Sequence, residues 1–118
     1  MKRERRAKKR FSVKEGALAF LGAVPGSIID ISESGIAVSY VVFEQEPEGR
    51  FRLDIFFEDD EFHLPDIEVE LVTSGRTMVA SGCATMQVRR LGLRFCELKS
   101  EQKDQLRYFI LHNATCEV

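Results

Sequence analysis

Along this chain apolar residues recur in short runs, several with a period of two, and the runs are separated by clusters of turn-forming residues. Ala17 to Leu21 is a continuous apolar run, and Val24-Pro25-Gly26 reads as a turn leading into a second strand, Ser27 to Ile31. Ser32-Glu33-Ser34-Gly35 is a polar turn. Ile36 to Phe43 follows it, rich in β-branched and aromatic residues as a third strand should be. After a loop over Glu44 to Gly49, Phe51, Leu53, Ile55 and Phe57 alternate with Arg52, Asp54 and Phe56, so one face of that strand is buried. The acidic run Glu58 to Glu61 ends it. Ile67, Val69 and Leu71 then alternate with Glu68 and Glu70, Ser74-Gly75-Arg76 reads as a turn into Met78 to Val88 interrupted by Gly82, and Leu91, Leu93 and Phe95 make the last strand.

Only the C-terminal end has helical spacing. Leu106, Phe109 and Ile110 fall on one face, Ser100 is placed to cap the N-terminus, and Glu101 and Asp104 suit its positive end. Six or seven short strands followed by one helix predict an all-β fold, a closed or nearly closed antiparallel β-barrel, because closure removes exposed strand edges. The helix is expected to plug or flank the barrel. With 118 residues the chain has the size of one domain, and 44% apolar residues can supply its core.

Charge divides the chain in two. Residues 1–10 contain seven Lys or Arg and one Glu, a net +6 that leaves −8 on residues 11–118. The reading is therefore a flexible basic arm over residues 1–10 and a barrel with its helix over 11–118. An arm this charged has no face to bury, so it is expected to order only over an anionic partner and to support nothing in the fold. Cys83, Cys96 and Cys116 show no C-x-x-C pairing, which predicts buried, reduced thiols in a cytoplasmic protein and no zinc site. The basic start and the apolar run Gly16 to Val24 are read as arm and strand, not as a leader, and no stretch reaches the ~18 apolar residues of a membrane span.

Catalytic chemistry is not expected. His63 reads as a strand residue and His112 as a cation at a helix end; neither stands at metal-ligand spacing or near a nucleophile. Two polar clusters are of another kind. Arg6 and Arg10 lie four residues apart, up to ~14 Å if extended, and can straddle a flat ligand. A guanidinium donates two parallel bonds to the O6 and N7 edge of guanine or to phosphate, and stacks on a purine face. Asp30 accepts hydrogen bonds, matching the donors on guanine's other edge, Ser32 can donate to a phosphate or base oxygen, and Gly35 permits a tight turn or close backbone approach.

These two clusters, Arg-x-x-x-Arg at 6–10 and Asp-x-Ser-x-x-Gly at 30–35, with nineteen residues from Phe11 to Ile29 between them, resemble the signature of the PilZ family. Glu4-Arg5-Arg6, Phe11-Ser12-Val13 and Leu91-Gly92-Leu93-Arg94-Phe95 before the helix extend the likeness over nearly the whole chain. The resemblance implies a six-stranded barrel with a C-terminal helix and a cyclic di-GMP site between arm and barrel. Arg6 and Arg10 would grip guanine and phosphate, Asp30 and Ser32 would contact the ligand from the strand end, Gly35 would allow close approach, and Arg5 is a further candidate. The function expected is that of a cyclic di-GMP receptor, without cofactor or membrane insertion, signalling to a downstream protein through ordering of its arm. Two other classes stay open, an oligonucleotide-binding barrel using the basic arm and a protein-interaction adaptor. The scattered arginines of the strands, Arg50, Arg52, Arg76, Arg89, Arg90 and Arg94, do not read as a nucleic-acid groove.

Overall fold

In a computed structural model, residues 9–41 and 47–118 are described, and they form eight strands, a 3-10 turn and one helix. The strands are β1 (Phe11–Val13), β2 (Leu18–Leu21), β3 (Val24–Ile31), β4 (Gly35–Val41), β5 (Arg50–Phe57), β6 (Phe62–Ser81), β7 (Ala84–Phe95) and β8 (Ala114–Glu117). Helix α1 (Ser100–Asn113) precedes β8. Neighbours run β2-β5-β6-β7-β4-β3, every observed pairing is antiparallel, and β2 pairs β3 again, so these six strands close into the expected barrel.

Closure gives each strand one inward face. Ala19, Ile28, Ile31, Ile36, Val38, Leu53, Ile55, Ile67, Val69 and Leu91 are buried in one continuous core. Helix α1 shuts one barrel end by setting Phe109 edge-on to Phe57 at 6.3 Å and tilted against Phe62 at 4.9 Å, with Leu106 buried beside them. The apolar spacing Leu106, Phe109, Ile110 thus faces the core as read from the sequence. Its N-cap is Lys99 rather than Ser100, which is the first residue of the helix, and the Gln102 side chain reaches back to accept from the Lys99 N–H at 2.9 Å.

Two turns lie elsewhere than expected. The chain reverses at Gly22-Ala23, between the paired Leu21 and Val24, and Pro25 and Gly26 belong to β3. Likewise Ser74-Gly75-Arg76 runs straight through β6, and the reversal falls at Gly82-Cys83 between paired Ser81 and Ala84. In both hairpins the first loop residue is a glycine at positive φ, 69° for Gly22 and 63° for Gly82, which a two-residue loop requires; Gly26 and Gly75 have no such φ. The cysteine expectation also needs correction, since Cys96 is buried while Cys83, in a hairpin loop, and Cys116, on β8, are exposed.

β1 and β8 were not anticipated. They pair with each other, Phe11 opposite Glu117, and β1 joins the barrel by the pairing of Phe11 with Ile31 of β3. Among the described residues no helix is long and apolar enough to cross a membrane, and no group of His, Cys, Asp or Glu could hold a metal ion.

Candidate functional site

A β-bulge creates the site. Ile28 pairs with Val38 and Asp30 with Ala37, so Ile29 is an extra residue on β3. Strict alternation after the buried Ile28 would turn Asp30 inward. The bulge instead sets it beside outward-facing Ala37, while Ile31 pairs with Ile36 in the core. A second bulge, at Val72 of β6, sets Thr73 opposite Gly92 and leaves Leu71 opposite Leu93. Cross-strand rows on the outer wall follow. Asp30, Ala37, Gly92 and Thr73 form one row; Gly35, Arg94 and Glu70 the next on one side; Ser39, Arg90 and Gly75 the next on the other.

Asp30, Gly35, Ala37, Thr73, Arg90, Gly92 and Arg94 of these rows, with Arg10, Ser34, Val72 and Leu93, line a half-open pocket of about 390 Å³. Its floor is small, made by Gly35, Ala37 and Gly92, and its rim carries Arg10, Arg90, Arg94, Asp30 and Thr73. A floor without bulk beneath three guanidinium groups and one carboxylate suits a flat anionic ligand.

Arg10 meets Asp30 across twenty residues of sequence. Its Nε and Nη2 both lie 2.8 Å from Asp30 Oδ1, while Oδ2 accepts no hydrogen bond among the described residues. The Asp30 carboxylate is only 10% exposed, so this charge-assisted pair is largely shielded from water. The backbone of Arg10 is held too, its carbonyl accepting from the Val118 N–H at 2.9 Å. The expectation that Arg10 supports nothing in the fold is therefore corrected. Arg5 and Arg6 lie outside the described residues.

Ser32 is fully buried and does not line the pocket. Its Oγ accepts from the Ser34 and Gly35 N–H groups, both at 3.1 Å, and its own N–H donates to the Gly35 carbonyl at 2.8 Å. The hydroxyl thereby ties the turn from within, and Ser34 is the serine that reaches the pocket. Gly35 has a structural reason of its own: a Cβ there would lie 2.5 Å from the Leu93 carbonyl oxygen. The close approach it allows is between β4 and β7.

Arg90, Arg94, Thr73 and Ser34 were missed from the sequence as site residues. Arg94 is paired with Glu70, whereas Arg90 makes no ion pair or side-chain hydrogen bond among the described residues. The signal for both was the period-two spacing Arg90-x-Gly92-x-Arg94, which puts all three side-chain positions on one face of β7.

Fold and pocket define a small closed barrel with its candidate site on the outer wall, at a strand exit, instead of in the lumen. The PilZ domain model matches residues 3–112, and the chain belongs to the PilZ family. Among solved structures it is similar to the PilZ domain of YcgR from Escherichia coli with c-di-GMP, at 18% identity and a TM-score of 0.71 over 92% of this chain and 91% of that one. It is also similar to MrkH of K. pneumonia in its apo state, at 10% identity and a TM-score of 0.69, covering 95% of this chain and 50% of that one. The Bacillus subtilis inhibitor of motility MotI/DgrA matches at 24% identity and a TM-score of 0.55, covering 92% of this chain and 51% of that one. The chain thus spans about half the length of the last two. At these identities the likeness establishes the barrel fold. No curated protein matches the chain.

Proposed function

We propose that this protein is a cyclic di-GMP receptor that binds the nucleotide on the outer wall of its barrel and performs no chemistry on it. The observation that carries this reading is the meeting of the two motif halves, Arg10 on Asp30 at 2.8 Å, at the rim of a pocket floored by Gly35, Ala37 and Gly92. Membership of the PilZ family and the likeness to a YcgR PilZ domain with c-di-GMP support the choice of ligand.

In this reading Asp30 Oδ2 accepts from the N1 and N2 donors of guanine while Oδ1 keeps Arg10 in place. Arg10 offers its remaining N–H groups to phosphate, and Ser32 holds the turn so that Ser34 and the backbone face the ligand. Arg6, within ~14 Å of Arg10 along an extended chain, closes over the ligand from the other side, with Arg5 next to it. Arm ordering is then the signal that a downstream protein reads.

Calorimetric titration with cyclic di-GMP, with GMP and a short RNA as controls, tests the proposal. Saturable binding of the cyclic dinucleotide is expected at about 200 mM salt, where RNA held only by the basic arm should be weak because phosphate contacts lose affinity steeply with salt. Heat from RNA and none from cyclic di-GMP would overturn it.

A further inference from the structure

Arg90 stands out on the pocket wall. It is exposed, lines the pocket and, unlike Arg10 and Arg94, has no carboxylate partner among the described residues. Its row adjoins the small floor: Arg90 sits two residues from Gly92 on β7, ~7 Å along the strand and on the same face. Asp30 lies two strands away in the Gly92 row, ~10 Å across the sheet. A purine lying on Ala37 and Gly92 would therefore have a carboxylate at one edge and an uncommitted guanidinium at another.

Those two groups are complementary to guanine and not to adenine. Guanine presents donors at N1 and N2 and acceptors at O6 and N7, so Asp30 and Arg90 can each meet the edge that suits them. Adenine puts an N6 donor where guanine has O6, and a guanidinium fork has only donors to set against it. An arginine is needed for this, because lysine offers a point charge without the fork.

We infer that Arg90 is the specificity-determining residue of the pocket, reading the O6 and N7 edge of the guanine that lies on the Ala37 and Gly92 floor. This rests on the receptor reading above and assigns a role that neither motif half supplies. Titrating the wild-type protein, Arg90→Ala and Arg90→Lys with cyclic di-GMP and with cyclic di-AMP tests it. Arg90→Ala should weaken cyclic di-GMP by about tenfold to a hundredfold, the loss of one bidentate guanine contact, and change any cyclic di-AMP binding less than about twofold. Arg90→Lys should recover little of that loss. Because Arg90 is exposed, both variants should keep the wild-type thermal midpoint. Wild-type preference surviving in Arg90→Ala, or full recovery in Arg90→Lys, would overturn the assignment while leaving the receptor reading intact. A wild-type protein that takes up neither nucleotide would instead sink the receptor reading, and this assignment with it.

Discussion

At the scale of residues, the Arg10 and Asp30 pair does two things at once. It fixes the rim of the pocket and neutralises a carboxylate that is 10% exposed. Removing the arginine leaves that carboxylate without its partner, and a buried charge without a partner costs more than a lost surface pair. Arg10→Ala is therefore expected to lower unfolding stability by about 1.5–3 kcal/mol and to weaken cyclic di-GMP binding as well. Arg6→Ala is expected to weaken binding alone. Denaturant melts and titrations of both variants separate the two effects, and equal stability of Arg10→Ala and wild type would mean that the pair does not hold the rim. Asp30 and Arg10 were legible because carboxylate and guanidinium chemistry is written in the residue types. Ser32 was legible as important but not as buried, since only the fold reveals which of Ser32 and Ser34 turns inward.

Elements decide what sequence periodicity leaves ambiguous. Alternation located the barrel strands, yet the two bulges at Ile29 and Val72, each one residue long, determine which side chains face the pocket. Nothing in the run Ser27 to Ile31 marks where the extra residue falls. Gly75 was read as the turn and Gly82 as an interruption of the strand after it, and the tertiary pairing of β6 with β7 chose Gly82 for the reversal. The strand least visible beforehand was β8, whose four residues Ala114–Glu117 carry no alternating apolar pattern and are held by β1. Its pairing has a consequence. β8 and the following Val118 brace β1 and the Arg10 carbonyl, while among the described residues β1 is paired with the barrel only by Phe11 and Ile31. Truncation after Asn113 should leave the six barrel strands folded, lower the thermal midpoint by a few degrees and weaken cyclic di-GMP binding. Circular dichroism melts and titration check this; unchanged affinity would show that Arg10 is positioned by Asp30 without help from β8.

Across the whole molecule, charge separates the arm from the body, +6 on residues 1–10 against −8 on residues 11–118. Arg10, the last residue of that arm, is anchored to both Asp30 and Val118, so a clamp of the kind proposed would lie on the N-terminal side of Arg10. If the arm closes over cyclic di-GMP, the ligand must supply the ordering free energy. Fixing five or six backbones costs on the order of 5–10 kcal/mol, which several charge-assisted bonds from Arg5, Arg6 and their neighbours to phosphate and guanine can offset. Ligand occupancy and arm order are then two readings of one equilibrium. Trypsin reports on it directly, because seven of the first ten residues are Lys or Arg. Brief digestion should cut after Arg5, Arg6 and Lys8, and saturating cyclic di-GMP should slow those cuts in proportion to occupancy, whereas GMP should not. The bond after Arg10 serves as the internal standard: anchored by the fold itself, it should be cut slowly with or without nucleotide. Cleavage after Arg5 and Arg6 at equal rates, at ligand concentrations where calorimetry shows the site full, would remove the arm from the mechanism and leave recognition to the barrel wall alone.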